Sequence, residues 1–221
     1  MTLVIAHRGA SADERENTIP AFERAIALGA DYVELDVQLS ADGAPVVFHD
    51  LDLDRLTPLR GPLRRRPLAE LREVGIPTLA DVVEVTHGRI GVMAELKSAH
   101  LYRRRGVVEK TVALLGDEDV AISFQRRALL EARRLRPDLR VLQHVGFGTS
   151  IRAAAAYAWG VGFWDPRVTR RAVAKARGLG LATTVYTVND EERIRELAGG
   201  LGVDGVFTDC PDRARRALRP R

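Results

Sequence analysis

Residues 34–50 read ELDVQLSADGAPVVFHD. The first part of this run, together with Val33, alternates aliphatic residues with Glu34, Asp36 and Gln38, which is the two-residue period of a β-strand. The strand therefore has an acidic face and an aliphatic face. The acidic face is either the solvent side of an amphipathic edge strand or a set of metal ligands turned into the mouth of a barrel, and the rest of the chain distinguishes these two interpretations.

The same run contains a hairpin signal, the dipeptide Asp42-Gly43. A second extended segment follows it, from Ala44 to His49. If the dipeptide forms a two-residue turn, Asp36 stands opposite His49, and cross-strand partners project to the same face. The turn is therefore expected to gather two carboxylates and an imidazole into one patch.

Length and composition favour one large domain over residues 1–221. Cys210 is the only cysteine, so a disulfide within the chain is excluded. The N-terminus lacks the basic flank and long apolar run of a signal peptide. No apolar run approaches the ~20 residues that span a bilayer. We therefore expect a cytoplasmic protein without stable membrane insertion.

The formal net charge is +4, and arginines cluster at 64–66, at 103–105 and after Arg213. Such clusters can contact nucleic acid or phospholipid, but more often they are solvated faces. They are not interleaved with aromatic residues, and no nucleic-acid-binding motif accompanies them. We therefore expect no nucleic-acid partner.

Strand-like and helix-like segments alternate along the whole chain. The predicted strands are 3–6, 33–39, 90–97, 120–124, 141–145, 162–164, 182–188 and 203–208. With helices between eight strands, this order predicts a closed (β/α)8 TIM barrel, with residues 51–76 as a short basic insertion after the second strand. The alternative is an open doubly wound sheet, which the absence of a Gly-x-Gly-x-x-Gly motif disfavours.

Polar residues recur where the predicted strands end, which is where barrels of this class place their active sites. They are His7, Arg8, Glu34, Asp36, Glu95, Lys97, Ser123, Asn189, Thr208 and Asp209. Solvated surface charge has no reason to follow strand ends so regularly. The pattern therefore favours the metal-ligand interpretation of the acidic strand.

Three carboxylates, Glu34, Asp36 and Glu95, form an all-oxygen ligand set that suits Mg²⁺ or Ca²⁺. Carboxylates this close repel one another unless a cation lies between them. Arg8 and Lys97 add positive charge beside the metal, so the site is suited to an anion such as phosphate.

Two histidines, His7 and His49, fall among these groups. Imidazole titrates near neutral pH, so the pair can act as acid and base in one reaction cycle. His87, His100 and His144 have no comparable neighbours in the sequence, and we expect core or surface roles for them.

Eight short motifs occur in the order seen in glycerophosphodiester phosphodiesterases, and the resemblance extends from Ile5 to Pro211. They are HRG at 7–9, ENT at 16–18, ELDV at 34–37, VFHD at 47–50, ELK at 95–97, SF at 123–124, TVN at 187–189 and DGVFTD at 204–209. The resemblance implies a (β/α)8 barrel. It also implies hydrolysis of diesters such as glycerophosphocholine or glycerophosphoethanolamine to sn-glycerol 3-phosphate and an alcohol.

The resemblance also implies a role for each matching residue. Glu34, Asp36 and Glu95 would bind the metal, His7 and His49 would be acid and base, Arg8 and Lys97 would hold the phosphate, and Glu16 would orient His7 and Arg8 or approach the metal through water. In this family a hydroxyl of the substrate's own glycerol is thought to attack phosphorus, giving a cyclic phosphate that water then opens.

Two positions depart from the family pattern. Arg15 stands where many members have proline, and Tyr186 stands where tryptophan is usual. Tyr186 is expected to line the alcohol side of the pocket, so the departure bears on leaving-group preference. The alternatives are a lysophospholipase D or sphingomyelinase D-like activity at the same site, and a non-catalytic barrel that binds phosphodiesters.

Overall fold

Eight parallel strands close into a barrel in the computed structural model, which describes residues 2–146 and 149–219. Strand β1 (Leu3–Ala6) pairs in parallel with both β2 (Tyr32–Leu39) and β9 (Gly205–Thr208), which closes the sheet. Between them lie β4 (Gly91–Leu96), β5 (Val120–Ser123), β6 (Arg140–Val145), β7 (Gly160–Trp164) and β8 (Ala182–Tyr186). The predicted (β/α)8 barrel is confirmed.

Helices connect the strands along the outside of the barrel. They are α1 (Ile19–Ala27), α2 (Leu68–Glu73), α3 (Leu79–Thr86), α4 (Val107–Val112), α5 (Arg126–Leu135), α6 (Ile151–Ala154), α7 (Arg170–Arg177), α8 (Glu191–Arg195) and α9 (Pro211–Ala217). Thr18 and Thr78 cap α1 and α3, because their hydroxyls accept hydrogen bonds from backbone N–H groups of the first turn. Helix α9 was not predicted, since its arginine-rich sequence was interpreted only as a basic cluster.

The hairpin after β2 differs from its predicted register by one residue. Strand β3 (Pro45–Val47) is antiparallel to β2, and Val37 stands opposite Val47. The backbone N–H of Phe48 donates to the Asp36 carbonyl, so Phe48 and not His49 lies across from Asp36. The cause is a three-residue loop at 41–43, in which Gly43 takes a left-handed conformation with φ of +89°.

Two apolar layers fix the direction in which the strand residues point. Inside the barrel, Ile5, Met93, Ile122, Leu142 and Phe207 form a small core. The aliphatic face of β2, which comprises Val33, Leu35, Val37 and Leu39, belongs to the larger core between the barrel and its helices. Because successive strand residues point to opposite faces, Glu34 and Asp36 point inward, as the metal-ligand interpretation requires.

The predicted insertion at residues 51–76 has a small core of its own. Leu53, Leu63 and Leu71 are fully buried there, with Val46 and Phe48 of the hairpin. The segment thus packs beside the barrel rim directly after His49. None of the helices within residues 2–146 and 149–219 has both the length and the hydropathy to cross a membrane.

Candidate active site

One pocket of about 310 Å³ opens at the carboxyl ends of the barrel strands. Seven of the nine predicted site residues line it: His7, Arg8, Glu34, His49, Glu95, Lys97 and Tyr186. The other two lie just behind this wall. Asp36 is 1% exposed and contacts Arg8 and Lys97, and Glu16 lines an adjoining cavity with His7 and Arg8.

The three predicted metal ligands lie together. Glu34, Asp36 and Glu95 are buried, and each offers a carboxylate oxygen within 4.8 Å of the others. Burial and the charge of Asp36 raise the pKa of Glu34 to about 8, and the same two causes raise that of Glu95 to about 7. Three buried carboxylates this close repel one another, and their oxygens fit a divalent cation.

Asp36 has the strongest set of partners in this group. Its carboxylate lies 3.2 Å from Lys97 Nζ and 3.4 Å from Arg8 Nε, and it accepts a hydrogen bond of 2.9 Å from Asn17 Nδ2. Burial alone would raise the pKa of Asp36, but Lys97 and Arg8 outweigh it, so the pKa is lowered. Asp36 is therefore the carboxylate that stays ionised most firmly.

Arg8 contributes both its backbone and its side chain. Its φ of +57° is unusual for a residue with a side chain, and in this conformation its N–H donates to Glu34 Oε2 at 3.0 Å. The guanidinium donates to Glu16 at 2.9 Å. This bond fixes the orientation of the Arg8 guanidinium.

His7 is held by the end of the last barrel strand. Its Nδ1 lies 2.7 Å from Asp209 Oδ1. Asp209 is fixed in turn by Asn189 Nδ2 at 2.7 Å and by the Ser11 hydroxyl at 3.0 Å. These bonds outweigh burial and hold the pKa of Asp209 at about 2, so it remains a carboxylate. Only Nε2 of His7 is then free to exchange a proton with a substrate.

His49 is held by its sequence neighbour and by the insertion. Its Nδ1 lies 2.7 Å from Asp50 Oδ1. Arg55 donates to Asp50 at 2.6 Å and to Glu16 at 2.7 Å, so a single guanidinium joins the His49 pair to the residue that orients Arg8. The bonds from Arg55, more than the one from His49, hold the pKa of Asp50 at about 2.

A buried glutamine places the loop that carries His49. Gln38 Nε2 donates to the carbonyl oxygens of Phe48 and Asp50 at 2.8 and 2.7 Å, and its Oε1 accepts from the Tyr102 hydroxyl at 2.9 Å. His49 therefore reaches the pocket from an anchored loop and not as the cross-strand partner of Asp36. Gln38, the third polar residue of the alternating strand after Glu34 and Asp36, therefore positions the His49 loop. The sequence alone did not reveal this role.

The pKa values of the two histidines are shifted in opposite directions. Burial lowers the pKa of His7, but the Asp209 hydrogen bond and the charge of Glu34 outweigh burial, and the pKa is raised. For His49, burial lowers the pKa, Lys97 adds to this effect, and the attraction of Asp36 does not compensate. Opposite shifts separate the pKa values of the two imidazoles, and such a separation suits one of them to act as acid and the other as base.

His144, for which a core or surface role was expected, is buried and also lines the pocket. It is 4% exposed and packs between Phe124 and Tyr186, with ring centroids 4.8 and 4.3 Å away. Burial lowers its pKa to about 3, so it is neutral. With Trp164, these rings form an aromatic wall opposite the acidic side. The sequence signal for it was weak, because His144 lies inside an ordinary apolar strand.

Ser123 and Asn189, which the sequence also placed at strand ends, do not line this pocket. The Ser123 hydroxyl donates to the Leu96 carbonyl at 3.3 Å, so it ties β5 to β4. Asn189 holds Asp209 through its side chain. Both residues support the site without facing the cavity.

Comparison with known proteins identifies the family. Residues 7–213 match the model of the glycerophosphoryl diester phosphodiesterase family. A glycerophosphodiester phosphodiesterase of Bacillus altitudinis is 32% identical over 97% of both chains, and one of Caldanaerobacter subterraneus subsp. tengcongensis is 33% identical over 96% of this chain and 95% of the relative.

A solved structure has the same overall fold. It is a phosphodiesterase of Oleispira antarctica in complex with the product sn-glycerol-3-phosphate, and it superposes with a TM-score of 0.90 at 29% identity, over 99% of this chain and 97% of the other. Family match, relatives and fold agree over nearly the full length, and the chain belongs to the glycerophosphoryl diester phosphodiesterase family.

Proposed function

We propose that this protein is a metal-dependent phosphodiesterase that hydrolyses glycerophosphodiesters to sn-glycerol 3-phosphate and an alcohol. Glycerophosphocholine and glycerophosphoethanolamine are the proposed substrates. The observation that carries the proposal is the convergence, in one pocket, of an acidic triad, two cationic side chains and two aspartate-paired histidines. Family membership and the product-bound relative support the same reaction.

In this proposal Glu34, Asp36 and Glu95 hold one divalent cation, Mg²⁺ or Ca²⁺. Their oxygens converge within 4.8 Å, and burial together with the charge of Asp36 raises the pKa values of Glu34 and Glu95, an effect that a bound divalent cation would oppose. When bound, the cation would neutralise charge on the phosphodiester and make phosphorus a better electrophile.

Arg8 and Lys97 are proposed to hold the phosphate beside the acidic triad. Lys97 Nζ lies 3.2 Å from Asp36 and 3.3 Å from Glu95, and the charges of these carboxylates outweigh burial and raise its pKa, so it stays cationic in the pocket wall. Glu16 keeps the Arg8 guanidinium in place. A fixed cation costs less to align with an anion than a mobile one.

His49 is proposed as the general base of the first step and His7 as the general acid. A glycerol hydroxyl of the substrate attacks phosphorus and passes its proton to His49 Nε2, while the bond to the alcohol breaks and His7 gives that alcohol its proton. The products are a cyclic phosphate and the free alcohol. Water then opens the ring as His7 takes the proton of water and His49 returns its own to the glycerol oxygen.

The assignment of base and acid rests on the opposite pKa shifts of the two histidines. The lowered pKa of His49 favours its neutral form, and the raised pKa of His7 favours its protonated form. The aromatic wall at Phe124, Trp164 and Tyr186 lies on the side left for the alcohol. Leaving-group preference is therefore expected to depend on this wall.

The deciding experiment measures glycerol 3-phosphate release from glycerophosphocholine with Mg²⁺, with Ca²⁺ and with a chelator. Release that the chelator abolishes is the expected result. Glu34→Gln should weaken metal binding, because one of the three charges is lost, whereas Glu118→Gln is a matched control at a side chain that is 86% exposed. Metal titration that is the same in both variants would exclude Glu34 as a ligand. Release that persists with chelator would exclude the metal dependence.

A further inference from the structure

We infer that the rim of the barrel mouth carries a docking surface for an anionic phospholipid bilayer, separate from the catalytic pocket. Its centre is a cleft of about 810 Å³ between the segment after β4 and helix α5, more than twice the volume of the catalytic pocket. Arg103, Arg104 and Arg127 line the part of this cleft nearest the mouth, Arg134 lines it near the carboxyl end of α5, and Leu101 and Leu130 line it as well. We call these six residues the rim cleft.

The arginines of the rim cleft differ from most others in the chain. Arginines elsewhere commonly bond to carboxylates or backbone carbonyls, as Arg24 does with Asp13 and Arg136 with Leu115. Within the described residues, none of the four rim-cleft arginines has a carboxylate within 4.0 Å, although Glu131 also lines the cleft. Their charge is therefore directed outward and is available to an external anion.

Exposed apolar side chains concentrate at the same end of the barrel. Five large apolar side chains are 40–47% exposed. Leu51, Leu101 and Phe124 follow β3, β4 and β5, Leu130 lies in the middle of α5, and Trp164 ends β7. Among the described residues, two further large apolar side chains are exposed, Leu135 at 38% and Leu179 at 37%, and they lie at or just after the carboxyl ends of α5 and α7. Because those helix ends face the opposite end of the barrel, the exposed apolar surface is polarised toward the mouth.

The combination of charge and apolar side chains selects the partner. Unpaired arginines complement anionic headgroups, and leucine or tryptophan side chains beside them can enter the interface below the headgroups. An acidic polypeptide or a nucleic acid would satisfy the arginines but would leave Leu101 and Leu130 without apolar contacts. A bilayer offers anionic headgroups to the arginines and an apolar phase to Leu101 and Leu130. A protein docked through this surface has its barrel mouth toward the lipid.

The rim cleft is tied to the catalytic rim without being part of the catalytic site. Gln125 follows Phe124 of the aromatic wall, and its side chain accepts from the His100 backbone N–H at 3.0 Å and contacts His100 Nδ1 at 2.8 Å. His100 lines the cleft. The pair keeps the segment after β4 against the start of α5, so a docked surface would have a fixed orientation relative to the mouth.

The test is co-sedimentation of the full chain with vesicles of phosphatidylcholine containing 30% phosphatidylglycerol, and with pure phosphatidylcholine vesicles, at low and high salt. We expect binding only to the anionic vesicles, and weaker binding at high salt. The variant Arg103→Ser/Arg104→Ser/Arg127→Ser should lose affinity by at least about tenfold. The charge-matched control is Arg89→Ser/Arg177→Ser/Arg219→Ser, at the opposite end of the barrel, and it should change affinity less than about twofold.

A second pair of variants tests the apolar contribution. Leu101→Ser/Leu130→Ser should weaken vesicle binding, whereas Leu135→Ser/Leu179→Ser at the opposite end should not. Equal loss in the two arginine variants, or no binding to anionic vesicles, would overturn the proposal. Unchanged binding in Leu101→Ser/Leu130→Ser would also overturn it, because the arginines would then be recognising a polyanion without an apolar phase. The readout does not depend on diester hydrolysis, so it stands apart from the proposed function.

Discussion

His7 and His49 each have an aspartate 2.7 Å from Nδ1, but the two pairs are built by different parts of the molecule. The His7 pair joins the ends of β1 and β9, and Asp209 is fixed by Asn189 and Ser11 of the barrel loops. The His49 pair lies on the loop after β3, and Asp50 is fixed by Arg55 of the insertion. The barrel therefore positions one histidine, while the insertion helps to position the other.

This difference gives the insertion a specific task. Arg55 spans Asp50 and Glu16, and Glu16 also holds Arg8. The insertion thus links the His49 loop to the phosphate side of the pocket through one side chain. Its own buried core lets it hold that side chain without contributing to the barrel interior.

The largest effect is expected from removing either histidine. His7→Ala and His49→Ala should each lower kcat for glycerophosphocholine by at least about 100-fold, because each deletes one proton-transfer partner. His87→Ala, at an exposed position that ends α3, is the control and should be close to wild type. Near-wild-type turnover in either active-site variant, with an unchanged circular dichroism spectrum, would remove that histidine from the mechanism.

Replacing Asp209 and replacing Asp50 should move opposite limbs of the pH profile of kcat/KM. The Asp209 bond contributes to the raised pKa of His7, so Asp209→Asn should lower that pKa and shift the alkaline limb of kcat/KM to lower pH. The Asp50 bond raises the pKa of His49 against burial, so Asp50→Asn should lower it further and shift the acidic limb to lower pH. Each variant should also lose about tenfold or more in kcat.

The measurement is kcat/KM against pH at saturating metal for both variants. The sign follows from the roles, since an acid must be protonated and a base must be free. If Asp209→Asn moved the acidic limb and Asp50→Asn the alkaline limb, the proposed roles of His7 and His49 would be exchanged. A uniform drop without movement of either limb would leave the aspartates a purely structural role.

Removing Arg55, which links the insertion to Asp50 and Glu16, should have a smaller effect on kcat. Arg55→Ala should lower kcat by about fivefold, because its side chain is 48% exposed and surface ion pairs contribute little. The loss should come with a shift of the acidic limb only, since Arg55 contacts Asp50 and not Asp209. Arg60→Ala is the matched control within the same segment, because the Arg60 side chain donates to the Asp54 carbonyl at 2.9 Å and not to Asp50 or Glu16. Equal activities in the two variants would contradict the link.

The smallest change in activity is expected in the insertion core. Leu63→Ala removes a fully buried side chain and should lower the free energy of unfolding by about 2–5 kcal/mol. While the protein remains folded, kcat should fall less than about twofold, because Arg55 and Gln38 still hold the His49 loop. Urea unfolding followed beside activity measures both quantities. A loss of activity as large as that of His49→Ala would mean that the insertion core directly sets the catalytic loop.

Much of the fold was predictable because its signal is local. The alternation in residues 33–39 determined which face of β2 is acidic, and the regular exchange of strand and helix patterns predicted the barrel. The hairpin register was wrong by one residue because Asp42-Gly43 fits both a two-residue and a three-residue loop. Only the packing of Val46 and Phe48 against the insertion selects between them. Helix α9 was missed because its basic residues conceal an apolar face at Pro211, Ala214 and Ala217.

The candidate site divides in the same way. Residue types and their order determined the acidic triad, the two cations and the two histidines, because parallel strands bring their carboxyl ends to one rim. Only the tertiary structure decided which aspartate serves which histidine, how Arg55 and Gln38 hold the His49 loop, and that His144 faces the pocket. The contact between His7 and Asp209 joins residues 202 positions apart in the chain, and no local period encodes such a distance. The residue types at the strand ends determined which chemical groups the site contains. The orientations and pKa values of these side chains depend on burial and on partners that come together only on folding.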